Sequence, residues 1–387
     1  MDFSFTPEQL AIRDNVAKLC TRFDAQYWLE RDRAGHFPHD FHSAIAAAGW
    51  LGIAMPQEFG GAGLGITEAA LMMQAISQSG AGFSGASSVH MNIFGLNPVV
   101  VYGTAQQKKR WLPPLIRGEE KACFAVTEPD AGLNTASTKT AAWRDGDRYL
   151  LRGQKIWIST AQVAAKMLIL ARTSAAEGGR ATGGLSLFYT DLDRRYVEVR
   201  EIEKMGRHAV DSNMLFIEEL PVPVDDRIGE EGKGFDYLLH GLNPERILIA
   251  AEAVGLGRAA LARAVAYANE RIVFDRPIGQ NQAIQHPLAR CWMELEAADL
   301  MVFKAAALYD RGVPCGAEAN AAKYLAAEAC FRACEQAMLA HGGMGYAKEY
   351  HIERFLREAM IPRLAPVSPQ LILCFIAEKV LGLPKSY

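Results

Sequence analysis

The hydrophobic period changes twice along this chain, so no fold built from one kind of layer can accommodate it. Up to about residue 117 the apolar residues recur at helical spacing. In 67–77, for example, Ala69, Leu71, Met72, Ala75 and Ile76 are expected on one side, and 104–116 repeats the pattern. After Lys121 the period falls to two. Residues 138–160 alternate around Asp145-Gly146, a hairpin signal because both residues tolerate positive φ. Residues 167–171, 185–189 and 214–217 add apolar runs of strand length. Beyond Gly232-Lys233-Gly234-Phe235 helical spacing returns at roughly 244–272, 281–311 and 317–341, each segment near 35–45 Å at about 1.5 Å per residue. Such helices with short connections imply an antiparallel bundle. At roughly 150 residues per domain, 387 residues hold two to three domains. The expectation is an α+β multidomain chain: an α-helical domain over 1–120, a small β-barrel or sandwich over 121–230, and a four-helix bundle over 231–387.

Charge narrows the partners. Lys plus Arg total 41 against 44 Asp plus Glu, a formal charge of -3, so nothing neutralises a phosphate backbone and nucleic acid is not an expected partner. The opening Met-Asp-Phe-Ser-Phe-Thr-Pro-Glu lacks the basic and apolar regions of a signal peptide. No later stretch approaches 18 uninterrupted apolar residues, so no integral membrane segment is expected and the chain reads as cytoplasmic. Seven cysteines, at 20, 123, 291, 315, 330, 334 and 374, are odd in number and form no C-x-x-C pair, which makes them small core residues. Thr6-Pro7-Glu8-Gln9 carries a capping hydroxyl, a proline at the first position and a glutamine three residues on, so a helix should start there.

Several suggestive patterns have plainer readings. Gly255-Leu-Gly257-Arg-Ala-Ala260 has the letters of a dinucleotide fingerprint, but no strand precedes it, so helix packing is expected. His36, His39 and His42 lack partners for a closed metal site and read as a solvated loop and helix start; no metal is expected. Ser87, Ser88 and His90 lack a nucleophile elbow and read as turn chemistry. Trp157 alone suggests core, and Gly342-Gly343 a helix C-cap.

Taken in order, Phe124-Ala-Val-Thr127-Glu-Pro-Asp-Ala-Gly132, Trp157-Ile-Ser159, Glu270-Arg271-Ile-Val-Phe274 with Pro277-Ile-Gly279 and Gln282, and Gly342-Gly343-Met-Gly-Tyr346 followed by Glu349-Tyr350 and Glu353-Arg354 form a specific series. The chain resembles the acyl-CoA dehydrogenase family from end to end. The resemblance implies FAD held between the β domain and the bundle, usually in a homotetramer. Phe124, Val126 and Thr127 would then line the flavin, with Trp157 against the isoalloxazine and Ser159 near its N5 edge. Arg271, Phe274, Gln282 and Gly343 would reach the adenine and pyrophosphate half from a neighbouring subunit, while Ser368 and Gln370 match loop contacts to FAD. A rigid aromatic face, a hydroxyl donor where negative charge grows and an Arg for pyrophosphate suit that chemistry.

The chain departs from the family where the catalytic Glu usually stands. That place in the loop is Pro366, between Ala365 and Val367, and proline also lacks the backbone N–H expected to polarise the substrate thioester. A minority of members carry the Glu near the start of the first bundle helix, where this chain has Asn243-Pro244-Glu245-Arg246. Glu245 could also serve only the helix, with Asn243 as N-cap and Pro244 in first position. A helix N-terminus would keep its carboxylate ionised against desolvation. Arg246 matches a contact to CoA. Leu133, Asp275 and Leu339 replace residues that usually help to hold FAD, so weaker binding is expected.

The resulting expectation is an FAD-dependent dehydrogenation of acyl-CoA to trans-2-enoyl-CoA in fatty-acid β-oxidation, Glu245 taking the α-proton and an electron-transfer flavoprotein receiving the electrons. A non-dehydrogenating flavoprotein acting on a CoA thioester and an FAD-containing scaffold stand as alternatives.

Overall fold

A computed structural model describes residues 4–175 and 181–386; the first three residues of the acidic start, and Tyr387, lie outside the described residues. The N-terminal helices are α1 (Pro7–Cys20), α2 (Ala25–Ala34), α3 (His39–Ala47), α4 (Ile66–Ile76), α5 (Gly82–His90), α6 (Asn97–Tyr102) and α7 (Ala105–Ile116). Helix α1 starts as expected: Thr6 Oγ1 accepts the Gln9 N–H at 3.2 Å, and Gln9 Oε1 accepts the Thr6 N–H at 3.0 Å. Helix α4 is not the one-sided helix expected. Its residues 69–76 are buried all round, because α1 covers one side and the C-terminal bundle the other. His42, read as part of a solvated stretch, is buried on α3, and burial with the nearby charge of Lys121 pushes its pKa down to about 3.

The middle region contains β1 (Ala122–Ala125), β2 (Ala141–Asp145), β3 (Arg148–Ser159), β4 (Lys166–Arg172), β5 (Leu185–Asp191), β6 (Val197–Glu201), β7 (Ser212–Pro223) and β8 (Arg227–Ile228). Neighbours run β6-β7-β3-β2-β4-β5-β8, with β1 parallel to β4. The β2–β3 hairpin forms where expected, but its connection is Gly146-Asp147, and of the two only Gly146 has positive φ, at 63°. Strands β4 and β5 bury both faces. Met167 and Ile169 fill the core of the β domain, whereas Leu168 and Leu170 pack against Trp111, Leu112 and Leu115 of α7. This double burial is why those segments read as continuous apolar runs rather than alternating ones.

The bundle comprises α8 (Gly234–Glu270), α9 (Gln282–Asp310), α10 (Gly316–His341) and a broken fourth member, α11 (Ile352–Glu358), α12 (Ile361–Leu364) and α13 (Pro369–Phe375). Between α8 and α9, β9 (Ile272–Val273) and β10 (Arg276–Pro277) form a two-stranded ribbon. The stretch Ile352–Val380 has an 18-residue window with mean hydropathy of 1.5, long and apolar enough by composition to cross a membrane, but it bends at residues 359–360 and 365–368. Helix α8 begins ten residues earlier than 244, so Asn243, Pro244 and Glu245 lie inside it and the N-cap reading of Asn243 is overturned. Gly255 and Gly257 serve packing. A Cβ would lie 2.4 Å from the Gln74 carbonyl oxygen at the first and 2.6 Å from Leu295 Cδ2 at the second. The seven cysteines are free, and all but Cys374 are buried.

Two charge clusters on α11 fix the three regions relative to one another. Glu358 accepts the N–H of Phe83 (2.6 Å) and Ser84 (3.2 Å) and the Ser84 hydroxyl (2.7 Å), while Arg354 donates to the Gly80 carbonyl at 2.6 Å. Gly82 is required there: its φ is 60°, and a Cβ would sit 2.5 Å from Glu358 Oε2. One turn away, Arg357 donates to Asp32 of α2 at 2.7 Å, and His208 of the β domain lies 3.2 Å from the same carboxylate. Burial works to raise the Asp32 pKa, but the bonds from His208 and Arg357 hold it well below the usual range. Glu358→Gln, which strands the buried Arg354 guanidinium, is expected to lower unfolding stability by about 3–5 kcal/mol in urea titrations. A loss below about 1 kcal/mol would show that the pair does not hold α5 to the bundle.

Candidate active site

The β-domain side of the site is built around a buried lysine. Lys155 Nζ donates to the carbonyls of Val126 (3.1 Å) and Leu170 (2.7 Å) and to Glu128 Oε1 (2.9 Å), and the Ile156 N–H reaches the Thr127 carbonyl at 2.9 Å. These bonds lay Phe124, Val126 and Thr127 beside the end of β3. Burial pushes the Lys155 pKa down to about 8, against the pull of Glu128. Between Lys155 and Ile158 the β3–β7 register slips by one residue, a bulge that re-aims the next side chain. Trp157 sits on it at φ 62°, and its residue is 56% exposed, so the core reading of this aromatic is overturned. A bulky residue at positive φ costs on the order of 1–3 kcal/mol and persists where the surroundings impose it. Two residues on, the Ser159 hydroxyl accepts a hydrogen bond from Arg207 Nη2 at 2.8 Å, which leaves its own proton free to donate.

The helical side carries the carboxylates. Glu245 is 8% exposed on α8, and burial raises its pKa to about 7 against the pull of His90, Arg246 and Lys323. Lying inside the helix, it gains no charge stabilisation from a helix N-terminus, so the expectation of a permanently ionised group is corrected. Two turns along α8, Glu252 Oε1 meets His90 Nδ1 at 2.5 Å. Ser87, Ser88 and His90 therefore belong to a buried helix at the domain junction rather than a turn. Lys323 on α10, buried and with its pKa pushed down to about 8 by burial, donates to the Val367 carbonyl at 2.6 Å. That bond fixes the loop holding Pro366, which has no N–H of its own. Ser368 caps α13 by accepting the Leu371 N–H at 3.3 Å, and Gln370 is exposed on its first turn. Arg246 donates to Asn243 Oδ1 at 3.1 Å, and its Nε has no partner among the described residues. Arg246, Asn243, Asn320, Val367 and Phe375 line a cavity of about 460 Å³.

Arg271, Phe274, Gln282 and Gly343 lie elsewhere. From Glu245 to Arg271 is 26 residues of α8 and its end, roughly 39 Å at 1.5 Å per residue. At that far end Tyr267 stacks on His341 at 4.3 Å, tying the ends of α8 and α10, and Gly342 with φ 57° caps α10. Phe274 and Asp275 both have positive φ in the turn between β9 and β10, and Phe274 is 93% exposed. Leu339 is exposed at the same end, as is Leu133 in the β domain. Lys155, Arg207, Lys323, His90 and Glu252 were not singled out for the site by their sequence signals. Their partners are distant in the chain, and only the motif neighbourhood of Lys155 offered a clue.

The donor set suits a flavin nucleotide: an exposed aromatic ring on an imposed bulge, a hydroxyl with a free proton beside it, and a guanidinium behind that hydroxyl.

Comparison with known proteins agrees in all three regions. Family models match residues 6–119 as "Acyl-CoA dehydrogenase, N-terminal domain", 123–220 as the middle domain and 232–366 as the C-terminal domain. The chain is 38% identical over 394 residues to acyl-CoA dehydrogenase FadE12 of Mycobacterium tuberculosis, each chain covered in full. It is 34% identical over 336 residues to the caffeyl-CoA reductase-Etf complex subunit CarC of Acetobacterium woodii, covering 86% of this chain and 87% of that one. Among solved structures, a glutaryl-coenzyme A dehydrogenase with glutaryl-CoA is similar, with a TM-score of 0.94, 31% identity, and coverage of 100% of this chain and 98% of that one.

The raised Glu245 pKa has a consequence for folding. In the unfolded chain this carboxyl ionises near 4.5, but in the folded protein it keeps its proton up to about 7, so wild-type stability falls as pH rises through that window. Glu245→Gln cannot ionise; it should match wild type at pH 4.5 and gain on the order of 3 kcal/mol relative to it by pH 8. Thermal melts of both proteins across the window check this, and a pH-independent difference would place the ionisation elsewhere.

Proposed function

The chain belongs to the acyl-CoA dehydrogenase family, and from that premise we propose that it oxidises the α,β bond of an acyl-CoA thioester to a trans-2-enoyl-CoA with Glu245 as base. It is an FAD-dependent oxidoreductase of that family. When bound, FAD supplies the acceptor for the hydride equivalent leaving the β-carbon. The observation that carries the reading is Glu245: a buried carboxyl with its pKa near 7, under the influence of the Lys323 ammonium that bonds the Val367 carbonyl, and one residue from an Arg whose Nε has no partner among the described residues. A base poised at that pH can take a proton and release it without a large driving force. Arg246 suits the CoA portion of the substrate. Trp157 gives the ring system a flat wall, and Ser159 offers a donor where negative charge grows.

Phe124, Val126, Thr127, Ser368 and Gln370 are assigned to the same FAD, and Arg271, Phe274, Gln282 and Gly343 to the FAD of a neighbouring copy. The 39 Å along α8 supports that division, because one extended dinucleotide cannot reach both ends of the helix. Exposed Leu364, Leu373, Val380 and Leu381 provide apolar surface for association. We propose a homotetramer, with an electron-transfer flavoprotein as electron acceptor, the latter supported by the Etf complex named for the A. woodii relative. Cytoplasmic fatty-acid β-oxidation is the setting this chemistry suits.

Anaerobic mixing with a panel of C4 to C16 and methyl-branched acyl-CoAs is expected to bleach the flavin and yield enoyl-CoA. Glu245→Gln should slow that reduction by about 10²–10⁴ while leaving FAD content intact. Since the base must be ionised, the wild-type rate should climb through about pH 7 to a plateau. Reduction at the wild-type rate by the variant would place the base elsewhere; bound FAD that no acyl-CoA bleaches would favour a non-dehydrogenating or structural role. Light scattering is expected to show a tetramer of dimers carrying FAD, and a monomer retaining full FAD would overturn the shared site.

A further inference from the structure

Arg207 stands in an unusual setting. Its backbone lies in the left-handed region, with φ 56°, in the loop joining β6 to β7. Both neighbours pin that loop. A Cβ on Gly206 would sit 3.1 Å from Arg357 Cβ, so the chain is pressed against α11. On the other side, His208 reaches the Asp32 carboxylate at 3.2 Å and the Lys204 carbonyl at 2.8 Å. The guanidinium is consequently held in place, and it forks between three hydroxyls from three elements: Ser87 of α5 at 3.2 Å, Ser159 at the end of β3 at 2.8 Å and Ser212 at the start of β7 at 3.0 Å.

None of these partners is charged. Among the described residues Arg207 forms no ion pair with a carboxylate, and its buried Nε has no hydrogen-bond partner. A cation moved out of water is normally paired, because the loss of hydration otherwise goes uncompensated. Glu252, Glu358 and Asp211 lie near enough to favour its charge without bonding to it. A fixed, incompletely paired cation beside the hydroxyl assigned above to the flavin edge is complementary to negative charge arriving at that place.

We infer that Arg207 is a positioning residue that orients the Ser159 hydroxyl as a donor and sets a permanent positive charge at the flavin edge, favouring the reduced, anionic cofactor. This rests on the FAD assignment made above. By donating to Ser159 Oγ, Arg207 occupies an acceptor site and directs the hydroxyl proton away from itself. Its charge, which does not titrate in the working range, then acts through a partly desolvated path where Coulomb interactions exceed those in bulk water.

The test measures the FAD-loaded tetramer by spectroelectrochemistry and by titration with sulfite, a nucleophile that adds to flavin N5 and leaves an anionic adduct. Arg207→Gln, with FAD content verified, is expected to lower the ratio of reduced to oxidised flavin at fixed potential by about tenfold, about 30 mV for two electrons, and to weaken sulfite binding about tenfold. Arg207→Lys, which keeps the charge, should recover most of both. In a double-variant cycle with Ser159→Ala, the two changes should be non-additive. Should Arg207→Gln not retain FAD, Arg207→Lys and Ser159→Ala decide: the proposal requires a lowered potential in Ser159→Ala and a smaller change in Arg207→Lys. A potential and sulfite affinity equal to wild type in the FAD-loaded variants would overturn it. Absence of flavin bleaching by acyl-CoA in the wild type would instead fail the function reading, leaving these redox measurements to stand separately.

Discussion

One short helix, α11, holds two other regions in place by charge. Arg354 and Glu358 grip the chain at Gly80–Ser84, and Arg357 shares Asp32 with His208 of the β domain. Buried ion pairs are weak evidence for net stability, since desolvation offsets much of the attraction. Their geometry is demanding, however. A carboxylate that accepts two backbone N–H groups and a hydroxyl admits few relative placements of the parts it joins. Ser87 and His90 on α5, Arg207 on the β domain and Glu252 on α8 meet only because that placement is held.

Moving the carboxylate from a loop to a helix changes what tunes it. On α8, Glu245 is surrounded by packed side chains, and burial raises its pKa while Arg246, from the same helix, and Lys323, from α10, moderate the effect. Lys323 also bonds the Val367 carbonyl, so the group that moderates the Glu245 carboxyl also anchors the loop that carries Pro366. Loop position and the acidity of Glu245 are thereby connected through a single ammonium.

The fold was legible in the sequence to the extent that pattern and period report burial on one face. The Thr6 capping box, the β2–β3 hairpin and the three long helices follow local rules. Where burial is two-sided, the pattern says less: α4 shows no polar face, and β4 and β5 show no alternation. The start of α8 was misplaced because Pro244 ordinarily opens a helix, whereas here ten residues precede it with helical geometry. Ordered motifs drew attention to Trp157 and Ser159, and the departure of Pro366 from the family pattern drew it to Glu245. Nothing local could reveal that Arg207 meets Ser159 and Ser87, 48 and 120 positions away, or that His90 meets Glu252, 162 positions away; packing alone brings them near.

Pro244 also divides α8 into unequal parts. Lacking an N–H, it leaves the His240 carbonyl without its partner in the helical ladder, and its ring crowds that carbonyl. The 37-residue rod is therefore not one cooperative unit: the segment before Pro244 can fray while the remainder stays intact. Leu239, Leu242 and Asn243, which line the cavity beside Arg246, belong to that separable segment. Glu245 stands just past the break, on the side that keeps its ladder, so the cavity wall formed by the earlier segment can breathe without loosening that carboxylate.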